Sequence, residues 1–194
     1  MKLGYQVIQI DKQLDGSDVR LMKRIEADVL GLLAFPPCTH LAGSGARWWK
    51  KKGDNPLLDA LSMVDAVFRM IQIYNPLFWM IENPVGRLGS YIGKPRYLFN
   101  PCQFAGYLRN PNDEAYTKKT CLWGNFNIPQ PKPVYPKHGS MMHTLKNPKT
   151  GKFYSFTGQQ VKNWRSKTPK GFARAFVEVN PLQNPKMGSA YSPN

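Results

Sequence analysis

The sequence predicts an α/β fold, and three stretches carry the prediction. "DVLGLLAF" (Asp28 to Phe35) and "LFWMIENP" (Leu77 to Pro84) are near-continuous apolar runs of strand length, the pattern of parallel strands buried on both faces. Between them, from Pro56 to Tyr74, the residues Leu57, Leu58, Leu61, Val64, Val67, Phe68 and Ile71 recur at helical spacing. Strand, helix, strand is the repeating unit of an open α/β sheet, whose ligands gather at the carboxyl ends of the strands.

The remaining elements follow in order along the chain. "YQVIQID" (Tyr5 to Asp11) alternates, is β-branched and ends in an acid, so a strand is expected there. In the central helix, Asp54 or Asn55 is the expected N-cap and Pro56 opens the first turn. "KKTCLWG" (Lys118 to Gly124) predicts one more short strand, and Pro- and Lys-rich sequence follows with a hairpin expected at "NPKTGKFYSF" (Asn147 to Phe156). "SKTPKGFARAFVEV" predicts a closing helix, with Thr168 as N-cap, Pro169 at its first position and Phe172, Ala175, Phe176 and Val179 on one face. The expected organisation is a core over residues 1–124, a small irregular basic lobe over 125–166, a helix over 167–180 returning to the core, and a tail.

Composition narrows the partners. Lys and Arg number 27 against 12 Asp and Glu, a formal charge of +15, and such an excess attracts polyanions. The basic residues are interleaved with Trp, Tyr and Phe, a combination that suits phosphate contact plus base stacking. Nucleic acid is therefore the expected partner, and a membrane is not. Cys38, Cys102 and Cys121 lack CxxC spacing and are odd in number, which points to a reducing, cytoplasmic setting and away from a disulfide framework. His40, His138 and His143 show no ligand-like spacing with the thiols, so no metal is expected. The longest apolar stretch, Asn75 to Ile81, is far too short to span a bilayer.

Two strand ends carry the candidate chemistry. "FPPCTHLAGSG" presents Cys38 after Pro-Pro, and "IENP" presents Glu82. In a parallel sheet both meet at one edge, and a thiol beside a carboxyl suits nucleophilic attack on an electron-poor ring whose nitrogen the acid protonates. A buried cysteine alone is more often a small hydrophobe; the pairing of the two strand ends is what favours chemistry.

These two motifs, in this order, resemble the Pro-Cys loop and the Glu-Asn motif of DNA cytosine-5 methyltransferases. The run "PPCT…L…SG.RW" and the later "KKTCLW" are similar to those of small phage-type members. The likeness extends from Tyr5 to about Val179. It implies a Rossmann-like, S-adenosylmethionine-dependent methyltransferase-type sheet with a small irregular C-terminal lobe, acting on DNA in the cytoplasm, a bacterial host's if the chain is phage-encoded. On this resemblance Cys38 attacks C6 of a flipped-out cytosine, and Glu82 holds N3 and the exocyclic amine. C5 then accepts a methyl group from S-adenosylmethionine. Base extrusion is required because a stacked ring hides C6, and the basic field of Arg47 and Lys50 to Lys52 favours the thiolate. Asp11 matches the acid that holds the cofactor ribose, and Asp18 the acid near the adenine. Pro37, Ser44, Arg47, Asn83, Lys118 and Lys119 fall where the family contacts its substrate, although the family's Gln-x-Arg-x-Arg pattern is absent.

The family also opens with a Phe-x-Gly-x-Gly cofactor loop, and this sequence contains none. Loss of the accompanying strand exposes an apolar sheet edge, so a homodimer, a partner chain or a rearranged edge is expected. Two further functions fit the residues: a non-catalytic DNA-binding or regulatory relative that lost the cofactor loop, and a Cys/Glu enzyme that modifies free pyrimidine nucleotides.

Overall fold

The computed structural model describes residues 6–12, 14, 16–140 and 166–180. Its regular elements are β1 (Gly31–Ala34), α1 (Trp49–Lys52), α2 (Asn55–Tyr74), β2 (Phe78–Pro84), α3 (Gly89–Ile92), β3 (Tyr97–Phe99), β4 (Thr120–Asn125) and α4 (Lys170–Val179), joined by several short 3₁₀ turns. The fold is mixed α/β, with one open four-stranded sheet in the order β1-β2-β4-β3. The described residues divide into two units, one within Met1–Lys94 and Leu122–Phe126, the other within Pro95–Cys121 and Asn127–Asn180.

The first unit is built on the unit β1-α2-β2. Helix α2 buries Leu57, Ala60, Val64 and Val67 along one stripe, the spacing that lets one helical face cover a sheet. Asp54 caps it through its backbone, accepting from Leu57 N and Leu58 N at 2.9 Å each, with no side-chain bond. The helix stops at Asn75, whose φ of 42° is left-handed, a conformation Asn tolerates at a helix end; Pro76 follows. The chain then runs straight into β2, which lies parallel to β1 with Gly31 opposite Phe78 and Ala34 opposite Ile81.

Two expectations about the strands are corrected here. The run 28–35 was expected to be buried on both faces, yet only Leu32 and Ala34 are buried and Leu33 is 46% exposed, because β1 is an edge strand with one covered face. The strand expected over Tyr5 to Asp11 is absent from its described residues, 6–11, and Val7 is 80% exposed. Alternation gives a segment two faces, but an extended chain is held only by cross-strand partners, and this one has no ladder.

In the second unit an aromatic cluster is the centre of the core. Phe99 stacks on Phe172 at 4.2 Å between centroids, and Phe104 meets both rings edge-on at 5.5 and 5.4 Å. Helix α4 is expected to begin with Thr168 as cap and Pro169 as its first residue. Pro169 occupies the cap instead and makes no side-chain bond. The role falls to Glu114, buried and 56 residues away, whose carboxylate accepts from Lys170 N at 2.5 Å and Gly171 N at 2.9 Å. A negative group at a helix N-terminus meets both the orphan donors and the positive end of the dipole. Gly171 is required beside it, since a Cβ there would lie 2.3 Å from Phe104 O.

The sequence from 126 to 139 forms neither helix nor strand. It includes an extended strap with prolines at 129, 131, 133 and 136. The strap is pinned by Tyr107 Oη to Gln130 O (2.8 Å), Gly106 N to Lys132 O (3.0 Å) and Val134 N to Cys102 O (2.9 Å). The hairpin expected over Asn147 to Phe156 lies outside the described residues.

Two outcomes are expected for the second unit. Glu114→Ala should lower stability by about 2 kcal/mol, because two helix N-terminal donors, that of Gly171 buried, lose a charged acceptor; an unchanged urea midpoint would contradict the capping role. Burial, and then the Glu114 carboxylate, push the Tyr116 hydroxyl from 10.0 up to about 12. Since the folded value lies above the unfolded one, its contribution is complete below pH 10.0 and is lost as the pH rises through about 12. Tyr116→Phe should flatten alkaline unfolding in that window, monitored by circular dichroism.

Candidate functional site

The site begins at the carboxyl end of β1. Pro36 and Pro37 cannot continue a ladder, so the chain leaves the sheet and turns at once into a 3₁₀ turn over Cys38–His40, with Pro37 at its cap. The turn closes on Cys38 itself, whose carbonyl accepts from Leu41 N at 3.0 Å and Ala42 N at 2.8 Å. Cys38 is exposed, while Cys102 and Cys121 are buried. Burial raises the pKa of the Cys102 thiol, the condition of an inert structural cysteine. The accessible thiol of the three is the one the strand end presents.

Strand β2 supplies the opposing groups. It runs on past Glu82 through Pro84, leaving Glu82 half-buried and Asn83 buried. Because Ala34 is opposite Ile81 in a parallel pair, Glu82 and the turn that presents Cys38 leave the sheet at the same edge. Side-chain and backbone bonds then stitch the two exits together. Asn83 Nδ2 donates to Pro36 O at 2.9 Å. Gly43 N donates to Val85 O and Arg87 N to Leu41 O, each at 2.9 Å, and Arg87 Nε donates to His40 O at 2.8 Å. An antiparallel bridge joins Ala42 to Gly86, where a Cβ would lie 1.9 Å from Leu41 O.

Arg87 and Gly86 do not stand out in the sequence. Arg87 also lies 4.3 Å over the ring of Trp49, so one guanidinium fastens the loop at two levels. A glycine and an arginine directly after "IENPV" were the available signal, but their partners, 40 to 49, become neighbours only through the β1-β2 register.

Three buried side-chain polar atoms among the described residues lack a hydrogen-bond partner: His40 Nδ1, Trp49 Nε1 and Asn83 Oδ1. All three belong to this loop or to the strand end it is stitched to. Buried polar groups are nearly always satisfied, and each exception calls for a partner.

The other candidates fall in three groups. Ser44 and Arg47 are exposed on the 3₁₀ turn Gly43–Trp48, part of the Cys38 loop, and Arg47 lies 5.4 Å over Trp48. Lys118 and Lys119 belong to the second unit, just before β4; Lys118 Nζ lies 3.5 Å from Lys167 O. Asp11 ends no strand and accepts from Leu14 N at 2.9 Å through its carbonyl. Asp18 is engaged by Arg20, whose backbone N, Nε and Nη2 all donate to its carboxylate. That pairing holds the Asp18 carboxyl well below the usual carboxylate range. Arg20 in turn reaches Asp59 at 2.6 Å, which fastens this segment to α2. As placed, neither acid offers a carboxylate at a strand end for S-adenosylmethionine.

Among the described residues no cluster of three or more His, Cys, Asp or Glu could hold a metal ion, and no helix is long and apolar enough to cross a membrane. No protein-family model matches the chain, and no curated protein matches it.

Gly86→Ala should separate the Cys38 loop from the β2 exit, because its Cβ would meet the backbone of Leu41, Ala42 and Gly43. The expected cost is about 1–3 kcal/mol of stability, together with faster amide hydrogen exchange at Gly43 and Arg87 than in the wild type. Equal protection of those two amides would refute the stitching.

Proposed function

We propose that the chain is a DNA cytosine-5 methyltransferase-like protein in which Cys38 is the nucleophile and Glu82 the acid. The observation that supports this most directly is the parallel register, reinforced by the bond from Asn83 to Pro36, which brings an exposed thiol and a half-buried carboxyl to one sheet edge. The Cys38 thiolate adds to C6 of an extruded cytosine, forming the S–C6 bond. The protonated Glu82 carboxyl gives its proton to N3, and the displaced π electrons make C5 nucleophilic. Asn83 positions both groups by tying the second exit to the first. The formal charge of +15 supports DNA as the substrate class.

S-adenosylmethionine is the methyl donor that the resemblance implies. Neither Asp11 nor Asp18 lies at a strand end, and the proposal stands on ring activation, which needs no donor. A second function is favoured by the same observation together with the missing strand over 6–11: a relative that binds DNA and activates or merely holds the base without methylating it.

The test exploits reversible addition at C6, which lets the C5 hydrogen exchange with water. DNA carrying tritium at cytosine C5 should release it in the presence of wild-type protein. Cys38→Ser should release none, and Glu82→Gln should be slower by about 10²- to 10⁴-fold. Absence of release from DNA and from free deoxycytidine nucleotide alike excludes ring activation. Release from the nucleotide alone identifies a nucleotide enzyme. A stable adduct with DNA containing 5-fluorocytosine, formed only when S-adenosylmethionine is added, identifies the methyl donor.

A further inference from the structure

The two neighbouring tryptophans of the Cys38 loop are handled oppositely. Trp49 is half-buried beneath the Arg87 guanidinium. Trp48 is 48% exposed, with Arg47 over its ring. Two more large apolar side chains are exposed around the same sheet exits, Phe35 after β1 and Val85 after β2. Lys50, Lys51 and Lys52 follow Trp48 on α1, all exposed. The edge that presents Cys38 and Glu82 is thus rimmed by an aromatic ring, apolar side chains and a run of cations.

We infer that this rim selects DNA whose target base is already unpaired, with Trp48 stacking on an exposed base beside the target. The inference rests on the proposed Cys38/Glu82 chemistry for which base is attacked, but not for the stacking itself. Flat faces alternating with phosphates describe a single strand, and an aromatic platform flanked by lysines matches both features. In a perfect duplex every base face is covered by its neighbour, so Trp48 has nothing to stack on until the helix opens. A mismatch, bubble or single strand offers the face at once and also lowers the cost of extrusion. A lipid surface fits less well, because α1 has only four residues and cannot present the long apolar stripe that interfacial helices bury.

The test is an anisotropy titration of the full-length protein in the Cys38→Ser background, where no adduct forms. Its probes are a labelled single strand, the matched duplex, and the same duplex with a mismatch at the cytosine. Single strand and mismatch should bind about tenfold tighter than matched duplex. Trp48→Ala should lose about tenfold on those two and little on the duplex, while Trp48→Phe keeps most of the affinity. Trp48 is on the surface, and an unchanged circular dichroism spectrum confirms that both variants fold. Equal binding of matched and mismatched duplex, or full affinity of Trp48→Ala for the single strand, overturns the inference. So does a Trp48-dependent affinity for vesicles of phosphatidylcholine and phosphatidylglycerol that exceeds the affinity for DNA. If wild type releases no tritium yet the Trp48 effect persists, the chemistry falls and the stacking surface stands.

Discussion

One buried amide holds the candidate site together. Asn83, 1% exposed, donates from Nδ2 to the carbonyl of Pro36, just before the chain turns to present Cys38. Pro37 has no amide hydrogen to add to that turn, and a further fastening comes from outside the segment. It comes from the residue next to Glu82. The two candidate residues therefore leave the sheet beside one contact, and the backbone bonds of Gly43 and Arg87 extend it along the loop. A loop held at one end could swing; this one is laced to the neighbouring strand exit along its length.

Charge is used in two ways in this chain. Some cations are structural: Arg20 holds Asp18 and Asp59, Arg69 donates to the carbonyls of Val19 and Arg20, and Arg87 fastens the Cys38 loop. Others, among them Lys50, Lys51 and Lys52, are exposed on a short helix. The distinction follows side-chain chemistry, since a planar guanidinium can bridge several acceptors at once, whereas an ammonium is a compact, strongly hydrated charge.

Where the sequence was legible, a local pattern coincided with a tertiary need. Residues 55–74 combine period, proline and a stop signal, and the strands at 31–34, 78–84 and 120–125 fall inside or within one residue of the runs that predict them. Cys38 and Glu82 were legible for the same reason, each following an apolar run. The failures have a common physical cause. "YQVIQID" has an excellent strand pattern but no ladder, and helix α4 is capped by Glu114, a residue that no window around Thr168 contains. Arg87 and Gly86 acquire meaning only once the register of β1 and β2 is fixed.

The proline strap of the second unit has a consequence for behaviour in a crowded solution. Pro129, Pro131, Pro133 and Pro136 lack amide hydrogens, and the carbonyls of Gln130 and Lys132 and the amide of Val134 are already occupied. An extended segment on a protein surface is ordinarily a template on which a stray strand can grow. Here four of the eight residues from 129 to 136 are proline and the Val134 amide is already bonded, so a stray strand would meet a ladder broken at every second position from 129 to 133.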